Sequence, residues 1–207
     1  KEDSSRQTTY QDINQNVLSQ NSQKARSVDG PVASPFVSNI PLTDKPVYAI
    51  PDEIFTQSLG HYERNQLARL LTNYLGAGVA LSLLDRFQIG TSSRWPGACV
   101  FWYIDQQGRK RGGQIKLFDQ TFHTEKYTDR EGRKRSKTDW VHTAFAYRCN
   151  RNHQPHPDWL TAYIEQHEFS PCLFGLPQLL SSPPDQPVAI VEAPKTAILS
   201  TAYFPEM

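Results

Sequence analysis

Residues 98–119 read ACVFWYIDQQGRKRGGQIKLFD. Two runs of β-branched and aromatic residues flank a Gly-containing turn, which predicts an antiparallel hairpin. A second Gly-containing turn, TDREGRKRS at 128–136, lies between HTEKY and DWVHTAF and predicts another antiparallel pair.

Working toward the N-terminus, the period changes from two to 3.6. Pro51 suits a first helical position, with Asp52 and Glu53 in the first turn and Ile54, Phe55 and Leu59 as its apolar face. In HYERNQLARLLTNYLG, Tyr62, Leu67, Leu70, Leu71, Tyr74 and Leu75 form a helical stripe ended by Gly76. In GVALSLLDRFQIG, Val79, Leu81, Leu83, Leu84 and Phe87 predict a third helix ending by Gly90. Stripes of this kind are core and carry no chemistry. Residues 1–45 are rich in Ser, Gln, Asn and Asp without a sustained period. They bury too little apolar surface to offset ordering, so this stretch is expected to be a disordered polar linker.

Toward the C-terminus, HPDWLTAYIEQH returns to a helical pattern, and CLFGLPQLLSS is a short apolar element before a Pro-rich break. QPVAIVEAPKTAILSTAYF then predicts an apolar strand from Val188 to Val191, a tight turn, and a helix from about Pro194. Helices, an antiparallel sheet and a β-α unit make the class mixed α+β, with no internal repeat. The divisions are 1–45 linker, 46–184 α+β region, and 185–207 a strand and helix of a further domain.

Only 38% of the 207 residues are hydrophobic, so the core is confined to part of the chain. No apolar run reaches transmembrane length and the polar N-terminus lacks a secretory h-region, so a cytoplasmic protein without a membrane partner is expected. Cys99, Cys149 and Cys172 are odd in number and widely spaced, which fits a reducing compartment better than a disulfide framework. Cys149, His153 and His156 are close in sequence, but a structural zinc site needs paired ligands, and a polar turn is the plainer reading.

Charge marks the candidate chemistry. The chain nets +1, yet residues 106–151 hold twelve Lys or Arg against five acids. Arg109, Lys110, Arg111, Lys116, Arg133, Lys134, Arg135 and Lys137 cluster about the two turns, where long cations can reach a phosphate backbone. Interleaved aromatics could stack bases, or could simply be core, as a basic turn can simply be solvated surface. A second candidate is Glu192, set after an apolar strand and before Pro194, where α/β sheets build active sites. It could equally be a helix cap, with Lys195 its surface partner.

PVAIVEAPKTAIL resembles motif I of the Toprim fold, in which a strand delivers an essential glutamate to the loop before a helix. The preceding hairpin, WVHTAF and CLFGLPQLL run in the order of the elements ahead of Toprim in DnaG-type bacterial primases. The chain is most similar to a domain of unknown function carried by plasmids and conjugative elements of Bacteroidetes. That domain's pattern is matched by Ile50-Pro51, Ser58-Leu59, Tyr62, Asn65, IGTSSRWPGACVFWYIDQQG, WVH from Trp140, LFG from Leu173 and VAIVEAPKTA.

The resemblance spans roughly residues 46–207 and implies part of a primase-like replication or mobilisation protein. Its implied partners are single-stranded DNA and, in the parent, nucleotides, Mg²⁺ and a replicative helicase. It makes Glu192 the catalytic glutamate. The family's upstream zinc ribbon and its downstream metal-binding D-x-D motif are not in this sequence, so the chain is expected to be a fragment inactive by itself. The alternatives are a non-catalytic DNA-binding module with a degenerate Toprim-like part, or a Toprim nuclease.

Overall fold

The computed structural model describes residues 46–165 and 172–205; the predicted linker lies outside them. The centre is β2 (Ala98–Ile104), the first arm of the predicted hairpin. It pairs antiparallel with β3 (Lys110–Lys116) on one side and β1 (Gly90–Ser92) on the other. β6 (Thr138–Trp140) extends the sheet beyond β3, giving the order β1-β2-β3-β6. β2 is apolar along its whole length because both of its faces are covered.

Strand alternation divides the core in two. Cys99 and Phe101 face α2 (Gln66–Leu75), α3 (Ala77–Arg86) and Ile198 of α7 (Pro194–Tyr203). Val100, Trp102 and Ile115 face α1 (Asp52–Ser58), α4 (Val141–Arg151) and Tyr163 of α5 (Asp158–Glu165). The class is therefore mixed α+β, as expected, with helices on both faces of an antiparallel sheet. No helix among the described residues is long and apolar enough to cross a membrane.

Several elements depart from the sequence reading for identifiable reasons. The helix expected from Tyr62 is interrupted, because a 3₁₀ turn at Tyr62–Arg64 precedes Asn65, which caps α2. The Asn65 carboxamide accepts from Ala68 N at 3.2 Å and donates to Gly90 O and Thr91 Oγ1 at 3.1 and 3.0 Å. A fully buried Asn thus fastens α2 to β1, and its capping bond starts the helix there. Tyr74, Val79 and Leu81 were expected in the core but are exposed; Leu83 and Leu84 are buried as expected, joined on the inward face of α3 by Ala80. Pro51 lies one position earlier than expected, as the N-cap of α1.

DWVHTAF is not one strand. Only its first residues extend β6, and from Val141 the chain turns into α4. The second arm of the second hairpin is β5 (Lys134–Ser136), paired with β4 (Lys126–Thr128) in a separate two-stranded ribbon. The apolar run at 188–191 is also corrected. It has no regular secondary structure and pairs with no described strand, and Val188 and Ile190 are exposed, Ile190 by 92%. A strand needs a neighbour to accept and donate its backbone bonds, and none of the described strands lies alongside it. The helix after it forms as predicted, with Pro194 in the first turn.

Candidate nucleic-acid interface

The two basic turns share one construction. In the first, Asp105 N donates to Arg109 O and Gly108 N to Asp105 O, while Asp105 Oδ1 accepts from Gln107 N and Arg109 N. In the second, Asp129 N donates to Arg133 O and Gly132 N to Asp129 O, while Asp129 Oδ1 accepts from Glu131 N and Arg133 N. Gly108 and Gly132 take the left-handed conformation, with φ of 76° and 77°. This is the type I turn with a following αL residue that closes short hairpins. DQQGRKR and DREGRKR are thus the same device used twice.

Both devices pair much of their own charge. Arg109 Nε lies 2.7 Å from Asp105 Oδ2 and Arg111 Nη1 lies 3.8 Å from the same oxygen. Lys110 bonds Asp52 at 2.8 Å and stands over the Phe55 ring. In the second turn, Arg133 and Arg135 reach Asp129 at 3.0 and 3.1 Å, and Arg133 also reaches Glu131. Lys137 bonds Glu125 at 2.6 Å. Of the eight predicted cations, Lys116 and Lys134 have no acidic partner among the described residues. Lys116 is half-buried, and burial pushes its pKa below the ordinary lysine value, with Cys99 opposing and Lys195 adding to the shift. Lys134 is exposed.

Exposure distinguishes the two hairpins. The first lies against α1 and the sheet, whereas every residue of β4 and β5 is exposed. The ribbon is held at its root by backbone bonds from Leu117 N to Lys137 O, Lys137 N to Glu125 O and Glu125 N to Leu117 O. On it, Lys126, Arg130 and Lys134 have no acidic partner among the described residues, and Tyr127 presents its ring at 45% exposure. Among the described residues, then, the second hairpin presents its cations to solvent more fully than the first.

Sequence reasoning missed a second basic site. Arg94, Arg148 and Arg151 line a cavity of about 510 Å³ between α1, the loop after β1, the sheet and α4. Arg148 and Arg151 were part of the charge excess, but the signal that would have singled them out is their i,i+3 spacing on the face of α4 that also carries Val141 and Ala144.

Glu192 is exposed, one residue before the uncapped Ala193 that precedes α7, and it makes no hydrogen bond among the described residues. Lys195 is not its partner; its ammonium donates to Phe122 O at 2.7 Å. Glu192 lines an apolar groove with Phe174, Val188 and Phe204. Cys149 is buried, and His156 lies beside Asn150. Among the described residues no three His, Cys, Asp or Glu converge as metal ligands.

A family model described as a domain of unknown function (DUF6371) matches residues 65–207. The chain belongs to this family. The DUF6371 match begins at Asn65, the cap of α2, and covers the sheet, the ribbon, α4 and Glu192, leaving α1 outside it. No curated protein and no solved structure matches the chain. The family description names no activity, so the site must be read from its chemistry.

Proposed function

We propose that this domain binds single-stranded DNA as the template-holding part of a primase-like replication or mobilisation protein of a mobile element. The observation that carries the reading is the exposed ribbon β4–β5, on which Lys126, Arg130 and Lys134 have no acidic partner among the described residues and the ring of Tyr127 is open to solvent. Unpaired cations supply the sequence-independent attraction to phosphates, and an exposed aromatic face stacks a base of any identity. Duplex DNA hides its base faces, which favours single strands.

In such a parent, Glu192 holds the place of the Toprim glutamate, and nucleotides, Mg²⁺ and a helicase are the parent's partners. The described residues do not fit a Mg²⁺ site, since no set of carboxylates converges with Glu192. The test is fluorescence anisotropy with labelled single-stranded DNA across a salt series. Three phosphate contacts give a log-log slope of about −2. Replacing Lys126, Arg130 and Lys134 together with Ala should flatten it and weaken all sequences alike. Unchanged affinity in that variant removes the ribbon from DNA binding.

A further inference from the structure

The cavity between α1 and α4 has the composition of a small-molecule site. Its volume of about 510 Å³ falls within the range of roughly 300–1,000 Å³ usual for such sites. Val100, Trp102, Ile115 and Val141 give it an apolar floor, and Thr91, Ser92 and Ser93 give one wall of hydroxyls. Its lining holds three arginines and no carboxylate.

Arg94 is set in place from three directions. Its Nε bonds Asp139 Oδ2 at 2.7 Å, and its guanidinium lies 5.2 Å from the Trp95 ring centre and 4.5 Å from that of Tyr147. This uses one of the five guanidinium donors and leaves the terminal nitrogens without a protein acceptor among the described residues. Asp139 offsets the charge of Arg94. Arg148, stacked on Phe145 at 4.1 Å, and Arg151 have no acidic partner among the described residues, so the cavity keeps an excess of positive charge. Cations in the last turn of a helix are favoured by its dipole. That preference does not explain why both line a cavity with an apolar floor.

We propose that this cavity binds a nucleotide through a terminal phosphate. Arg148 and Arg151 take the phosphate, since a guanidinium fork matches its oxygens. The exposed Tyr147 ring, with Arg94 fixed against it, and the apolar floor take the base and sugar. A cavity of this size is too large for inorganic phosphate alone, and the hydroxyl wall suits a ribose or deoxyribose better than a hydrocarbon tail. The phosphate could belong to a free nucleotide or to the 5′ end of a strand. The site is independent of the ribbon.

The experiment is calorimetric titration of the whole chain with dAMP, deoxyadenosine, inorganic phosphate, and 5′-phosphorylated or 5′-hydroxyl dT10. Tighter binding of dAMP than of deoxyadenosine or phosphate by roughly tenfold or more is expected. If the strand end is the source, 5′-phosphorylated dT10 exceeds its 5′-hydroxyl form by a similar factor and dAMP follows the weaker of the two. The variant R148A/R151A changes two exposed side chains and should melt like wild type while losing that preference. Replacing Lys126, Arg130 and Lys134 should leave it intact, which separates this site from the ribbon. Equal binding of dAMP and deoxyadenosine together with equal binding of the two oligonucleotides overturns the proposal. So does a phosphate preference that survives in R148A/R151A.

Discussion

Arg109 Nε donates to Asp105 Oδ2 at 2.7 Å across the tip of the central hairpin. Asp105 is buried, yet it also accepts two backbone bonds from Gln107 and Arg109. Burial raises its pKa, but the Arg109 side chain and these backbone donors outweigh it and hold the carboxyl below its ordinary value of 3.8. A carboxylate whose pKa is lowered by folding adds stability above its unfolded pKa and loses it as pH falls through the folded one. Asp105→Asn should therefore lower stability near neutral pH by about 1–3 kcal/mol, the usual scale for charged hydrogen bonds. Denaturant unfolding of both proteins should show this gap closing as pH drops below 3.8. A gap that stays constant with pH would show that the charge on Asp105 is not what holds the turn.

Asp129 makes the same bonds in the exposed ribbon, to Arg133 and Arg135. Asp129→Asn should cost less stability than Asp105→Asn, because water competes for every partner. It should also free Arg135, while Arg133 keeps Glu131. If the ribbon binds single-stranded DNA, this change tightens binding and steepens the log-log salt slope by up to about 0.7 for one added phosphate contact. Salt-series anisotropy with the variant gives the answer, and weaker binding would mean that Arg133 and Arg135 need Asp129 to hold them in position.

Much of the fold was legible because it rests on local patterns. The hairpin at 98–116 and the stripe of Leu67, Leu70 and Leu71 follow from periods of two and 3.6, and both are in place. The exposure of Val79 and Leu81 was not legible, since a ten-residue apolar helix offers several candidate faces and only the neighbours choose among them. The switch from β6 to helix at Val141 was hidden because VHTAF suits either state. At the site, a count of Lys and Arg located the basic turns but not their pairing with Asp105, Asp129 and Glu125. Each pairing acid is near in sequence, and the common spacing in DQQGRKR and DREGRKR was the available clue. The cavity joins α1, the β1 loop and α4, far apart in sequence, so no local pattern could show it.

Gly113 on β3 carries the close approach of α4 to the sheet. A Cβ there would lie 2.6 Å from Val141 Cγ2 and 3.0 Å from the Trp102 ring. Both neighbours are buried and belong to the floor of the arginine-lined cavity. Gly113→Ala should destabilise the protein by about 1–3 kcal/mol, as overpacking of a filled core does. Urea unfolding measures it, and a change smaller than about 0.5 kcal/mol, the scale of a surface substitution, would mean that α4 can move outward freely.

Glu192 carries the remaining prediction, because a capping role and a chemical role for it have different consequences. A side chain that caps a helix contributes about 0.5–2 kcal/mol through its bond to a free backbone donor. Here the residue before α7 is Ala193, no side chain caps the helix, and Glu192 is exposed without a hydrogen bond among the described residues. Glu192→Ala should thus leave thermal stability within about 0.5 kcal/mol of wild type, as for a surface position free of such contacts. Lys195 gives the contrast, because its ammonium ties α7 to Phe122 O at 2.7 Å and stands 5.8 Å from the Phe118 ring centre. Lys195→Ala should lower stability by about 1.5–3 kcal/mol, the range for a hydrogen bond involving a charged group. The pair is measured by thermal melting of the same chain. A large loss with Glu192→Ala and none with Lys195→Ala would mean that the glutamate, not the lysine, secures the start of α7, and would return Glu192 to a structural role.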